Sequence, residues 1–192
     1  MTSSRRSDWL VPAGLILLSL VPAIAGTFRL SQIGSGAEIT PDNARFMAMP
    51  MPVVLHILSV IPYSILGALQ FSPGFRKRNR SWHRTAGKFL TVCGMLAALS
   101  GLWMTLVYPW VNNDGELVYA FRLVFGSAML VSLILAIDAI RHRNFAAHGR
   151  WMIRGYAIGL GAGTQVLTHL PWFIFMTGKP DELPRGLMMG AG

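Results

Sequence analysis

Two histidines, His56 and His169, stand inside long apolar runs of this 192-residue chain. A polar ring is costly there unless it has a partner. An imidazole in that setting can ligate a haem iron, hold a divalent metal, or hydrogen-bond the carbonyl of a quinone. The same runs carry Tyr63, Gln70, Arg122 and Gln165. His56, Ser59, Tyr63, Gly67 and Gln70 recur at steps of three and four, so on a helix they form one stripe, with Leu, Ile and Val on the other faces. A stripe of this kind has to face other helices or a cavity.

A second pair, His83 and His148, has different neighbours. Each begins an apolar run beside Trp and Arg, with Arg84 and Arg154 close in sequence. Two readings stay open for this pair: a headgroup-level anchor for the helix ends, or a site for phosphate or lipid headgroups. His142, between Arg141 and Arg143, reads as a solvated loop residue. No carboxylate lies in the middle of an apolar run, so a carboxylate proton relay is unsupported. There is no nucleophile motif, Walker loop or dinucleotide fingerprint. The single cysteine, Cys93, excludes an intrachain disulfide and a cysteine-rich metal site, and its mid-run position suits a buried, inert thiol. No metal site is expected.

The elements that must position these residues are membrane spans. The chain is 53% hydrophobic and 13% charged, against about 25% charged for soluble domains. Its apolar residues cluster into runs near 9–30, 52–71, 85–108, 117–140 and 149–176. About 20 apolar residues cross the hydrocarbon core as a helix. The expected fold is therefore all-α: one polytopic membrane domain over residues 1–192, a bundle of about five transmembrane helices. Pro62 predicts a kink in the second segment, and Pro171 one near the end of the fifth. Residues 177–192 read as a short outer tail.

Charge orients the bundle. Of the 17 cations, twelve fall in three places: Arg5 and Arg6; Arg76, Lys77, Arg78, Arg80, Arg84 and Lys88; and Arg141, Arg143, Arg150 and Arg154. Six of the eight acids, Glu38, Asp42, Asp114, Glu116, Asp181 and Glu182, fall in the alternate loops. That is the positive-inside pattern, with a cytoplasmic N-terminus. It explains the net charge of +9 without nucleic acid, since no segment is long enough for a soluble binding module. The partners expected are the lipid bilayer and, at the inner face, anionic headgroups. Arg5, Arg6, the following apolar stretch and Ala23-Ile24-Ala25 also fit a cleaved signal peptide. The run is long for that and continues past the site, so it is expected to remain as a span.

Small residues supply contact surfaces. Gly87, Gly94 and Gly101 recur every seven residues, and Gly155, Gly159 and Gly163 every four. Both read as seams for close helix packing, within the chain, in a homo-oligomer or against another membrane partner.

The pattern His56 … Gly67-Ala68-Leu69-Gln70-Phe71 … Arg76 … Trp82-His83-Arg84 … Gly87, then His148 … Trp151-Met152 … Arg154 … Ala157, resembles a bacterial family of predicted membrane proteins catalogued as a domain of unknown function. The resemblance covers roughly residues 10 to 178. It implies a polytopic protein of the bacterial inner membrane and brings no activity with it. Members of that family often continue into one more apolar helix.

Depth sorts the candidates. His56 lies about one and a half turns below the outer surface, on an inward-running helix. His169 follows His148 by 21 residues, or roughly 30 Å of helix, which carries it from the inner face to a similar outer depth. The residue types therefore predict an outer cofactor cavity built from His56, His169, Tyr63, Gln70, Arg122 and Gln165. An inner-face candidate site takes His83, Arg84, His148 and Arg154. Haem b and quinone are the candidate cofactors for a redox-type module. The competing class is a cofactor-free membrane scaffold or a small transporter subunit.

Overall fold

The computed structural model describes residues 3–111 and 113–192, with side-chain surroundings from Asp8 onward. Arg5 and Arg6, on which part of the orientation argument rests, have side chains outside this range. The described residues are helical almost throughout, without strands. In order they form α1 (Ser3–Ser35), α2 (Ala44–Ala48), α3 (Pro50–Ala68) with a 3-10 turn at Leu69–Phe71, α4 (Pro73–Arg78), α5 (Arg80–Val107), α6 (Glu116–Arg141), α7 (Phe145–Gly159), α8 (Gly161–Phe175) and α9 (Glu182–Ala191). Among them, four stretches are long and apolar enough to cross a membrane: Asp8–Ser35, Pro50–Phe71, Arg80–Val107 and Glu116–Arg141.

The fifth expected span is two helices. α7 and α8 have 15 residues each, about 22 Å apiece, so only end to end do they match a hydrocarbon core of about 30 Å. They meet at Leu160, whose N–H is shared between the carbonyls of Tyr156 (3.0 Å) and Ala157 (3.2 Å). Gly155, Gly159, Gly161 and Gly163 crowd this point, and glycine is the weakest ordinary helix former. Pro171 was the expected kink, but α8 runs through it to Phe175.

Two loops are more ordered than the sequence suggests. The basic hairpin is helical: Ser72 caps α4 by accepting from the Phe75 N–H (3.2 Å), Pro73 opens it, and α5 begins at Arg80, five residues before Thr85. The C-terminal tail contains α9, which packs on both α6 and α8. Gly186 lies against Leu117 and Gly190 against Phe121, each so close that a Cβ would fall within 3 Å of the facing side chain.

The core gathers Tyr63, Ala68, Cys93, Ala98, Met129, Leu133, Tyr156 and Leu160 from α3, α5, α6, α7 and the joint between α7 and α8. Cys93 is buried, as expected of an inert thiol. Leu10, Leu17, Ile24 and Phe28 on α1 are exposed, as are Leu58, Phe89, Trp103 and Val124 on the bundle. On a soluble protein such a surface would be a liability; on a membrane bundle it is the lipid face.

Candidate functional site

The stripe on α3 meets the glycine seam on α5, and both repeat every seven residues. The helices run antiparallel, so His56 lies over Gly101, Tyr63 over Gly94 and Gln70 over Gly87. His56 Nδ1 donates to the Ala97 carbonyl (3.0 Å) and lies 3.2 Å from Ser100 Oγ. A carbonyl only accepts, so Nδ1 carries the proton and Nε2 keeps a lone pair in the neutral ring. Tyr63 is 1% exposed, and its ring fills the space between Gly94 and Gly159. Beside it, the Tyr156 hydroxyl donates to the Ser64 carbonyl (2.5 Å), and the Tyr156 ring covers Gly67. The polar stripe thus serves first as a helix-to-helix seam.

His169 and Gln165 stand elsewhere. Both line a groove of about 380 Å³ between α1 and α8, whose other walls are Val21, Ala162, Val166, Leu170 and Phe173. His169 Nδ1 donates to the Gln165 carbonyl one turn back (2.8 Å), which again leaves Nε2 with its lone pair. One contact brings α1 close to α8. Pro22 lacks the N–H that would bond the Leu18 carbonyl, and Gly163 approaches that oxygen so nearly that a Cβ would collide with it.

At the hairpin end, Arg76, His83 and His148 of the resemblance pattern lie near one another. Gln70 buries both amide atoms without a partner among the described residues, and His83 buries Nδ1 in the same way. Arg76 and His148 lie close enough to His83 to act on its charge. His148 Nδ1 donates to the Ala136 carbonyl (2.9 Å). Arg84 is exposed, and Arg154 stacks over the Trp151 ring at 4.5 Å. Gln70 therefore belongs to this end, with His83, and Arg122 belongs to the opposite one.

At that far end Arg122 makes a two-pronged contact with Asp114, at 2.8 and 3.2 Å. Arg185 of α9 reaches the same carboxylate at 2.8 Å, and Arg45 of α2 stands 3.8 Å away. Asp114 has only 3% of its side chain exposed. Burial lowers the pKa of Arg45, and the Asp114 charge raises it; a guanidinium stays charged throughout. Sequence reasoning named Arg122 and missed the rest, because Asp114 reads as a turn acid and Arg185 as a tail residue. A signal was present. Five cations lie outside the three basic stretches: Arg29, Arg45, Arg122, Lys179 and Arg185. All five are engaged here, Arg29 over the Phe46 ring at 4.6 Å and Lys179 on Asp42 at 3.0 Å.

Among the described residues, no cluster of three His, Cys, Asp or Glu side chains assembles. A family model described as a predicted membrane protein, DUF2306, matches residues 53–192. No curated protein and no solved structure matches the chain.

Proposed function

The chain belongs to the DUF2306 family of predicted membrane proteins, and on that premise we propose that it holds a lipid-soluble small molecule with a hydrogen-bonding head, of the quinone type, in the groove between α1 and α8. The observation that carries this reading is the groove itself. Its volume of about 380 Å³ falls within the usual range for ligand sites, about 300–1,000 Å³. Its walls are apolar apart from Gln165 and His169. The Gln165 amide can donate to a ring carbonyl, and the free Nε2 of His169 can accept from a ring hydroxyl. An apolar tail would lie among Val21, Val166, Leu170 and Phe173, in contact with lipid.

Haem is the second candidate from the residue types. A six-coordinate haem needs two facing imidazoles. The groove lining contributes one, His169, while His56 faces α5 rather than the groove. A one-imidazole ligand suits this lining better. The basic end we assign to the cytoplasmic side of a bacterial inner membrane. There the exposed cations of α4 and early α5 would meet anionic headgroups, each contributing about 1 kcal/mol.

Purification in mild detergent, followed by organic extraction and an absorption spectrum, tests the reading. The expected result is a quinone-type molecule in near-stoichiometric amount, lost in His169→Ala and Gln165→Ala. A reducible Soret band would turn the assignment to haem. Preparations without a chromophore or an extractable small molecule would overturn it in favour of a cofactor-free scaffold.

A further inference from the structure

The far end of the bundle gathers three guanidinium groups on one carboxylate. Asp114 has two oxygens. Oδ2 takes Arg122 at 2.8 Å; Oδ1 takes Arg122 at 3.2 Å and Arg185 at 2.8 Å. Arg45 stacks over the Phe46 ring at 4.7 Å and stands 3.8 Å from Oδ2, and its Nε is buried with no hydrogen-bond partner among the described residues. Three guanidiniums offer fifteen N–H donors, while one carboxylate offers about four acceptor positions. The cluster therefore carries an excess of two positive charges in a half-buried place, where the arginine side chains are only 20–32% exposed. Among the described residues no other acid forms an ion pair with the three arginines. Asp42 is paired with Lys179, with Arg45 near enough to act on its charge. Glu182 lies against Gly115 but makes no ion pair with the three arginines.

Beside Arg45, Arg122 and Asp114 lies a cleft of about 20 Å³, walled by Tyr108, Trp110 and Tyr119. That is room for one water-sized group, such as a single oxyanion oxygen with the rest of its molecule at the mouth. Tyr108 is fixed there, since its hydroxyl donates to the Met49 carbonyl at 2.7 Å, next to α2. The cations also sit at the end where the charge pattern places acids. Buried guanidiniums need counter-charge, and arginine forks match the oxygens of carboxylate and phosphate.

We propose that this cluster is a binding site for a phosphate oxyanion, which completes the partners of Arg45 while Asp114 holds Arg122 and Arg185 in place. The phosphate could belong to a phospholipid head or to a free solute, and the chemistry recognised is the same.

The test uses the full chain purified in detergent. Thermal unfolding is followed with inorganic phosphate against chloride at matched ionic strength, and native mass spectrometry counts retained phospholipid. A phosphate-specific rise in the wild-type midpoint, with at least a tenfold weaker apparent affinity in Arg45→Gln, supports the site with a free anion. One retained phospholipid that Arg45→Gln releases supports it with a lipid head. Arg45→Lys, which keeps the charge, should retain part of either effect, and this separates binding from a folding defect. Phosphate behaving as chloride on the wild type, with no phospholipid retained, overturns the proposal.

Discussion

The ring of Tyr63 fills the notch over Gly94: a Cβ added to Gly94 would lie 2.6 Å from Tyr63 Cε2 and 3.1 Å from Leu133 Cδ1. The neighbouring notches of the heptad are shallower. A Cβ at Gly101 would meet His56 at 3.5 Å, and one at Gly87 would meet Gln70 at 3.8 Å, both ordinary contacts. Gly94→Ala should therefore cost about 1–3 kcal/mol by overpacking. Gly87→Ala should be neutral or gain up to about 1 kcal/mol of helix propensity. Thermal midpoints in one detergent check this, and equal effects at the two positions would show that the seam does not discriminate by depth.

Gly163 and Leu18 make a second close approach, through backbone. A side chain at Gly163 cannot be absorbed by a rotamer change, because the atom it meets is the Leu18 carbonyl oxygen. Gly163→Ala is expected to push α1 off α8 while leaving α5 and α6 packed. Hydrogen exchange should show α1 amides around residues 15–26 losing protection by about tenfold or more, the equivalent of roughly 1.4 kcal/mol. An unchanged α1 would mean that α1 is held chiefly by α3, for instance where Gly26 packs so near Ile57 that a Cβ would lie 3.1 Å from its Cγ2.

Much of this arrangement is written in the sequence, and the missing parts have physical reasons. The apolar runs locate the spans because length and hydropathy decide membrane crossing. His56, Tyr63 and Gln70 share a face at spacing seven, and so do Gly87, Gly94 and Gly101; that the two rows interlock depends on antiparallel register, which neither row encodes alone. Sequence depth puts His56 and His169 at one level but does not choose the partner helix of either. His56 turns to α5 and His169 to the groove beside α1. The break at Leu160 is not legible in the sequence because a glycine-rich seam and a helix break look alike there. α9 looks like tail in the sequence because its helix is short and its Gly186 and Gly190 lower its propensity; packing on Leu117 and Phe121 compensates. The Asp114 cluster joins residues 45, 114, 122 and 185, a separation that no local pattern spans.

Asp114 should be the most sensitive single position at the far end. Asp114→Ala leaves three half-buried cations without their common partner, and breaking a buried pair from one side costs about 3–5 kcal/mol. The arginines keep 20–32% exposure, so the lower figure, about 3 kcal/mol, is the expectation. Adding Arg122→Gln to Asp114→Asn should recover part of the loss, with a coupling of about 0.5–3 kcal/mol. Additive effects of the two changes would argue against a direct pair.

The crossing itself can be read with two cysteines. Asn79 immediately precedes α5, and Asn113 follows it by six residues in the α5–α6 connection. α5 has 28 residues, about 42 Å of helix, against a hydrocarbon core of about 30 Å. The two asparagines must therefore lie on opposite sides of the membrane if α5 spans it. Native Cys93 is buried, so background labelling should be low. In intact spheroplasts, Asn113→Cys should react with a membrane-impermeant maleimide, and Asn79→Cys should react only after permeabilisation. The reverse pattern would keep the span but invert the assignment of the basic end. Reaction of both from the same side would refute α5 as a transmembrane helix, and with it the depth ordering on which the groove and the arginine cluster are placed.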